Sequence, residues 1–364
     1  MRRLYLGACM LASILAGPAT AEDLSSQLKK GNVELTSAGP IAFAPDGILL
    51  AADPKSATIV AIATGDVSGS EKTAQYAIEK LDEKIAAALG SSAKELQIVD
   101  LATNPKSGNV YVSVARGRGP DAMPVLLRVK ADGNIEEVAM KNVPTASVKL
   151  PNPAADNPNA RTNPRTESIT DLVYVDGKVF IAGLSNEEFA SNLRSVPFPF
   201  KEVGNGTSIE IYHGAHGAVE TRSPVRTFAA YSIEGQDYLV AAYTCTPLVK
   251  IPVADLTPGK KVRGVTVAEL GNRNRPLDMV VYKKDGKDYI LMANSSRGVM
   301  KIATEKIETK ESISSKVADT AGLEYEKVEA LTGVEQLDRL SDKLAIVLIR
   351  TPEGSASLKS IELP

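Results

Sequence analysis

Two stretches of this chain align with each other without a gap, and this internal repeat limits the possible folds more than any other feature. They are "YLVAAYTCTPLVKI" (238–251) and "YILMANSSRGVMKI" (289–302). Each consists of an apolar strand, a few small or polar residues, and a second apolar strand ending in Lys-Ile. A third copy, "ILLAADPKSATIVAI" (48–62), has one additional residue. An Asp-Gly or Glu-Gly turn precedes each copy, which predicts a hairpin with a further strand upstream.

Looser copies of the unit lie at three other places, 99–117, 170–184 and 335–351. A β-rich unit that recurs every 40 to 60 residues or so is typical of four-stranded propeller blades, because one blade cannot bury both of its faces alone. We therefore predict an all-β fold, a six-bladed β-propeller, with seven blades as the alternative. We also expect an N-terminal strand near residues 33–35 to complete the last blade.

The repeated pattern is an apolar strand, Asp-Gly, a second apolar strand ending in Ala-Asp or Ala-Asn, a polar loop and a third apolar strand. It resembles the NHL-type and lactonase-like six-bladed β-propellers, and the resemblance covers most of the chain after the N-terminal segment. The sequence contains no tryptophan. It therefore has neither a WD signature nor the tryptophan docking repeats of quinoprotein propellers. Cys-x-x-Cys-His is also missing, which argues against covalent haem.

The N-terminal 21 residues have the features of an export signal. Arg2 and Arg3 form a basic start, an apolar stretch follows, and Ala19-Thr20-Ala21 is a small-residue cleavage site. We therefore predict a signal peptide over 1–21 and a single propeller domain over 22–364, secreted into a bacterial periplasm. Cleavage removes Cys9 and leaves Cys245 without an intramolecular disulfide partner.

The charge balance points to no particular partner. The formal net charge is −2 with acidic and basic residues interspersed, which argues against a nucleic-acid partner. After residue 21 no apolar run approaches the roughly 18 residues of a membrane span. We expect a monomer that binds a partner protein or a small molecule.

Two insertions interrupt the predicted ring. Residues 68–90 predict an amphipathic helix on the propeller exterior, with Ser68 and Glu71 as a capping box and Ile78, Leu81 and Ile85 among the residues on its apolar face. Residues 185–205 predict a long loop that includes Phe198 and Phe200. Loops of this length are commonly lids or binding elements, and we expect this one either to cover the channel or to be anchored on neighbouring blades.

Acidic residues recur where innermost strands begin, at Asp100, Asp171 and Asp278, with Gln336 in the last unit. Carboxylates that meet at a propeller axis repel one another, and a hard cation such as calcium would relieve that repulsion. The alternative is that each aspartate bonds backbone amides within its own blade.

The resemblance to lactonase-like propellers implies a divalent metal bound by Glu, Asn and Asp near the channel. The nearest matches are Glu167, Asn274 and Asp278, although the first blade, "SAGPIAFAPDG" (37–47), has no acid where that family commonly places a glutamate. Arg275 and Arg297 flank the same predicted region. They could bind a carboxylate or phosphate in two-point fashion, or pair with the channel aspartates.

The chain has only two histidines, His213 and His216, in a glycine-rich segment. Together with Cys245 in a corresponding loop of the next blade they would form a His₂Cys set, which suits copper or haem iron. The alternative is a tight turn between blades, in which Gly214 and Gly217 adopt unusual backbone angles.

No complete catalytic set can be assembled from these residues. We therefore favour a ligand-binding or protein-binding module that acts through its channel face, because a fold does not by itself determine a function. A metal-dependent lactonase-like hydrolase and a redox accessory protein using His213, His216 and Cys245 are the alternatives.

Overall fold

The computed structural model describes residues 23–69, 75–244 and 247–364. They form a six-bladed β-propeller, as the repeat predicted, and we number the blades by the order of their innermost strands along the chain. The predicted signal peptide lies outside the described residues. No helix in the described part of the chain combines the length and apolar character needed to cross a membrane.

Blades 1 to 3 contain the first half of the strands, which are named here from the innermost strand outward. Blade 1 consists of β2 (Ile41–Ala44), β3 (Ile48–Asp53), β4 (Thr58–Ala63), β10 (Val143–Lys149) and β1 (Lys29–Gly31). Blade 2 consists of β6 (Leu96–Thr103), β7 (Val110–Arg116), β8 (Met123–Val129) and β9 (Ile135–Glu137). Blade 3 consists of β11 (Asp171–Val175), β12 (Lys178–Leu184), β13 (Ser191–Pro197), β14 (Thr207–His213) and β15 (Ala218–Glu220), and β19 (Lys261–Arg263) also pairs with β14.

Blades 4 to 6 follow the same plan. Blade 4 consists of β16 (Val225–Ile233), β17 (Gln236–Tyr243), β18 (Pro247–Pro252), β20 (Val265–Leu270) and β24 (Thr320–Gly322). Blade 5 consists of β21 (Pro276–Lys284), β22 (Lys287–Asn294), β23 (Met300–Ala303) and β25 (Tyr325–Lys327). Blade 6 consists of β26 (Val334–Arg339), β27 (Leu344–Arg350), β28 (Ala356–Glu362) and β5 (Ala77–Ile78).

The blades do not follow one another around the ring in chain order. Contacts between innermost strands give the order 1, 3, 4, 5, 6, 2 and back to 1. Residues 64–142, which lie between the third and fourth strands of blade 1, contain the outer strand of blade 6 and all of blade 2. The chain therefore builds blade 2 on one side of blade 1, returns through β10, and then builds the other four blades on the opposite side.

The closure of the ring differs from the sequence prediction. The outer strand of blade 6 is β5, in which Ile78 pairs with Leu358, and not a strand near residues 33–35. Val33 instead donates a backbone hydrogen bond to Met140 O, next to the short edge strand β1. The prediction was wrong at this point because residues 77–78 had been assigned to a helix.

The core lies between neighbouring blades, so the strands are covered on both faces. All six residues of β3 are buried, which explains why the polar alternation of a half-exposed strand is weak in this sequence. One apolar cluster joins blades 3, 4 and 5 and includes Phe228, Leu239 and Met292. Replacing one such leucine with alanine typically lowers the free energy of unfolding by about 2–5 kcal/mol.

The helical insertion is shorter than the sequence predicted. The single α-helix of the described residues, α1, spans Leu81–Ala88, and Ile78 belongs to a strand instead. Lys80, which precedes the helix, has a left-handed backbone conformation. Leu81 and Ile85 are buried between blades 2 and 6, so the apolar face was assigned correctly from Leu81 onward.

Residues 185–205 are not one long loop. They contain β13, the third strand of blade 3, which pairs with β12 along its whole length. Polar residues inside the strand, Asn192 and Arg194, hid it from a reading based on apolar runs, yet both side chains are buried. The predicted lid is therefore largely a blade strand.

Candidate functional site

A central channel passes between the innermost strands of all six blades. It encloses a cavity of about 710 Å³. Lining residues extend from the aspartates near the start of these strands to the hairpin turns at their ends, at Val175, Ser341 and Asp342. We call the side where innermost strands begin the upper face and the side of these turns the lower face. The cavity thus reaches the lower face.

Four aspartates line this cavity, namely Asp100, Asp171, Asp278 and Asp338. In each carboxylate one oxygen accepts a hydrogen bond from an innermost strand of the neighbouring blade. The donors are Ile41 N to Asp100 Oδ2 (2.7 Å), Phe228 N to Asp171 Oδ2 (2.9 Å), Leu337 N to Asp278 Oδ2 (2.8 Å) and Thr103 N to Asp338 Oδ2 (2.6 Å). The aspartates therefore hold adjacent blades together around the axis.

Each of these carboxylates also accepts a hydrogen bond from the backbone N–H of the residue that follows it. The distances to Oδ1 are 2.7 Å from Leu172, 2.8 Å from Met279 and 2.7 Å from Arg339, and Leu101 donates to Asp100. The expectation of backbone bonds within a blade describes only half of this arrangement, since the other bond crosses to the next blade.

Gln336 lies between two of the aspartates. When its amide is oriented to satisfy both carboxylates, Nε2 donates to Asp100 Oδ1 at 2.8 Å and to Asp278 Oδ2 at 3.2 Å. Gln336 therefore bridges blades 2 and 5 across blade 6. A neutral donor at this position separates two acids that would otherwise repel each other.

Burial raises the pKa of all four aspartates, and the negative charge of neighbouring aspartates adds to the effect. The pKa of Asp171 is about 7 and that of Asp338 about 6, while those of Asp100 and Asp278 lie well above the ordinary value. The side chains are nevertheless partly exposed to the channel. At neutral pH the four groups therefore carry fewer than four negative charges and can exchange protons with a ligand in the cavity.

The sequence analysis missed Asp338. Its repeat pattern pointed to Gln336, which takes the position of Asp100 and Asp278 in the ladder. Asp338 lies two residues further along the same face of β26 and is followed by Arg339 rather than an apolar residue. The alternation of side chains along a strand is the signal that could have identified it, since residues i and i+2 share a face.

The residues matched to the lactonase-like metal site have other partners. Glu167 forms an ion pair with Arg226 at 2.7 Å. The Asn274 amide donates to Asn294 Oδ1 at 2.8 Å and accepts from Ser296 Oγ at 3.2 Å. With these contacts Glu167 and Asn274 do not form a free ligand set with Asp278.

The arginines near the upper face differ in their contacts. Arg297 pairs with Asp319, with Nη2 and Oδ1 2.6 Å apart, and not with a channel aspartate. Burial lowers the pKa of Arg275, and the positive charge of Arg226 adds to this effect. Arg226, which the sequence analysis did not select, donates from Nε to Thr244 Oγ1 at 2.9 Å. The upper face thus places Arg226 and Arg275 near the single carboxylate of Glu167.

The two phenylalanines of the predicted lid lie at the lower face instead. The Phe198 ring is buried and packs edge-on against Tyr174, a channel-lining residue, with centroids 6.2 Å apart. Phe200 packs edge-on against Phe198 at 5.0 Å. These rings anchor the end of β13 between blades 1 and 3, the alternative that the sequence analysis left open.

His213 and His216 lie together at the upper end of blade 3, in the hairpin formed by β14 and β15. Both Nδ1 atoms contact Glu220 Oε1, at 2.9 Å for His213 and 2.5 Å for His216. Burial acts to raise the pKa of Glu220, but hydrogen bonds from His213, Ser223 and His216 outweigh it and hold the pKa at about 2. Cys245 lies outside the described residues.

This hairpin supplies a third group, Glu220, that sequence reasoning missed. Ile211 pairs with Glu220 and His213 with Ala218, so Glu220 and His213 project from the same face. A four-residue turn after His213 is the signal that could have predicted this register. Among the described residues, His213, His216 and Glu220 are the one group of three or more His, Cys, Asp or Glu side chains whose ligand atoms converge closely enough for a metal ion. In that same part of the chain, the channel aspartates do not form such a group.

No protein-family model and no curated protein sequence matches this chain. Among solved structures, it is similar to an oxidoreductase (glucose dehydrogenase) from Thermus thermophilus, at 12% identity and a TM-score of 0.35, over 92% of this chain and 99% of the other. It is also similar to the PQQ-bound aldose sugar dehydrogenase from Streptomyces coelicolor, at 11% identity and a TM-score of 0.32, over 92% of this chain and 96% of the other. Similarity this distant carries no information about activity.

Proposed function

We propose that this protein is a binding module that holds a small organic cation in the lower part of its central channel. The observation that carries the proposal is the cavity of about 710 Å³ with four carboxylates on its wall. Small-molecule sites typically have volumes of about 300–1,000 Å³ and combine apolar walls with a few convergent polar groups. Clusters of groups with shifted pKa values in a cavity are candidates for functional sites.

The lining favours a ligand that donates hydrogen bonds. Acceptor groups predominate on the wall, and of the described residues that line it, Arg339 is the one with a positive charge. Arg339 pairs with Asp342 at 2.8 Å at the lower mouth. An ammonium or guanidinium group would provide the donors that the carboxylates lack, and it would shift the protonation of Asp171 and Asp338 toward their charged forms.

The remaining wall suits an apolar ligand body. Phe43, Val173, Met279 and Val281 line the cavity between the aspartates and the lower face. An alkyl or aromatic amine could place its charged end against the aspartates and its apolar part against these side chains. We do not extend the proposal to lactonase-like hydrolysis, because Glu167 and Asn274 are engaged by Arg226, Asn294 and Ser296.

Isothermal titration of the purified protein with matched ligands tests the proposal. A series of primary amines should bind at 1:1 stoichiometry, while the corresponding alcohols and carboxylates should not. Asp338→Asn and Asp171→Asn should each weaken amine binding about tenfold or more, since each removes one charge partner. Asp255→Asn, an exposed acid away from the channel, should bind as the unmodified protein does. Equal binding of amines, alcohols and carboxylates would overturn the proposal.

We also propose that the protein acts after export to a bacterial periplasm. The basic start, apolar stretch and Ala-Thr-Ala site of residues 1–21 support this proposal. N-terminal sequencing of the protein from a periplasmic fraction should give a chain that begins at Glu22. A chain that retains Met1 and stays in the cytoplasmic fraction would contradict it.

A further inference from the structure

We propose that His213, His216 and Glu220 form a binding site for one divalent first-row transition-metal ion, with zinc as the reference ion. This site is separate from the channel and does not depend on the proposed ligand-binding function. Two imidazoles and a carboxylate are ligands that suit zinc, copper and nickel, whereas calcium prefers oxygen ligands alone.

The hairpin already brings the three ligand atoms together. Glu220 Oε1 lies 2.9 Å from His213 Nδ1 and 2.5 Å from His216 Nδ1, and the two imidazole centroids are 3.9 Å apart. Bond lengths of about 2.0–2.2 Å in a tetrahedral zinc site place the ligand atoms about 3.4 Å apart. The cluster therefore needs to expand by less than about 1 Å to accept the ion.

His216 can provide this movement. Its side chain is 55% exposed, whereas that of His213 is 2% exposed. The buried imidazole is fixed by its surroundings, while the exposed one can rotate outward to admit the ion. Three protein ligands with one side open to solvent leave a fourth position for water or another ligand, as in zinc sites that perform chemistry.

A buried atom without a partner provides an independent observation. In the metal-free arrangement each Nδ1–H donates to Glu220, so His213 Nε2 carries no proton. This Nε2 atom is buried and has no hydrogen-bond partner among the described residues. Metal binding through Nδ1 moves the proton of this imidazole to Nε2, which converts the unpartnered acceptor into a donor.

Glu269 supplies an acceptor for that proton. Its carboxylate is buried, Oε1 accepts the Gly214 N–H at 2.5 Å, and Oε2 has no hydrogen-bond partner in the described part of the chain. Gly214 directly follows His213, so the carboxylate lies beside the first ligand. Metal-binding histidines usually donate their second N–H to a carboxylate or carbonyl. Metal binding would thus satisfy two buried atoms that the metal-free protein leaves unpaired.

Ser223 holds the third ligand in position. Its Oγ donates to Glu220 Oε2 at 2.5 Å, which leaves Oε1 directed at the two imidazoles. Such partners of ligating groups commonly change metal affinity by 10–100-fold or so. Glu269 and Ser223 are therefore positioning residues, and the three ligands would contact the ion.

The test is zinc titration of the protein after treatment with a chelator, followed by cobalt substitution. We expect one zinc ion per chain and a visible cobalt spectrum of a site with nitrogen ligands. His216→Ala should lower zinc affinity about 100-fold or more, Glu220→Gln about 10-fold or more, and Glu269→Gln about 10–100-fold. Because His216 is exposed, His216→Ala should fold normally, which circular dichroism can verify.

Glu210→Gln is the matched control. Glu210 lies on the same strand as His213 but projects from the opposite face, toward Arg263, so its substitution should leave zinc affinity unchanged. The proposal is overturned if the unmodified protein binds no stoichiometric zinc, or if His216→Ala and Glu220→Gln bind zinc as tightly as Glu210→Gln does. Loss of zinc binding in Asp278→Asn with retention in His216→Ala would place the ion in the channel and also overturn it.

Discussion

Asp338 accepts a hydrogen bond from the Thr103 backbone N–H at 2.6 Å, although 235 positions separate the two residues in the chain. The bond joins the last blade along the chain to the second one, because the first blade lies on the other side of blade 2. It is the channel-side counterpart of the pairing between Ile78 and Leu358 at the outer edge. The out-of-order ring is therefore closed by contacts at both its inner and outer margins.

Replacing Asp338 with asparagine should weaken this closure. An asparagine side chain has one acceptor oxygen, so it cannot accept both the Thr103 and the Arg339 backbone N–H groups through separate oxygens. We expect the free energy of unfolding to fall by about 1–3 kcal/mol, the range for a buried group that loses its partner. Urea denaturation measures this change. Asp342→Asn, whose side chain is 98% exposed, should stay within about 0.5 kcal/mol of the unmodified protein.

The channel aspartates also predict how stability depends on pH. The pKa of Asp171 is about 7 and that of Asp338 about 6 in the folded protein, against an ordinary value of 3.8. The folded state therefore binds more protons than the unfolded state between about pH 4 and pH 7, and stability decreases as the pH rises through this window. The melting temperature should be higher at pH 5 than at pH 8. Asp171→Asn should flatten this dependence, and a melting temperature that rises from pH 5 to pH 8 would contradict the prediction.

The repeat predicted the six hairpins well, because apolar strands and Asp-Gly turns are local features. It could not predict the order of the blades, since the pairing of β10 with β4 bridges 80 or so residues and leaves no periodic signal. Glu220 was missed for a related reason. Its approach to His213 depends on the register of one hairpin, and a shift by one residue would move it to the other face.

Ile78 should be important for the stability of the ring. It is 4% exposed and packs with residues of blades 2 and 6 and of α1, while its backbone extends blade 6. Ile78→Ala should lower the free energy of unfolding by about 2–5 kcal/mol because it creates a cavity at the closure. The urea midpoint reports the change. Met123→Ala, at a side chain 64% exposed, is the control and should be nearly neutral. An equally small effect at both positions would show that β5 does not close the ring.

Arg194 provides the last test, since it bears on whether residues 185–205 are a mobile binding element or part of the blade. Its guanidinium is buried on β13 and donates from Nη2 to Pro151 O at 2.8 Å and from Nη1 to Gly204 O at 3.2 Å. Arg194→Met keeps the length of the side chain but leaves both carbonyls without this donor. The free energy of unfolding should fall by about 1–3 kcal/mol.

Two comparisons make the Arg194 result specific. Arg194→Lys should lie between the unmodified protein and Arg194→Met, because an ammonium cannot reproduce the two directions of a guanidinium. Arg263→Met, at a side chain 56% exposed whose Nε lies 3.6 Å from Glu210 Oε1, should change stability by less than about 0.5 kcal/mol. If Arg194→Met unfolds at the same urea concentration as the unmodified protein, the segment is not anchored through this side chain. The loop around Phe198 and Phe200 would then again be a candidate for ligand or partner binding.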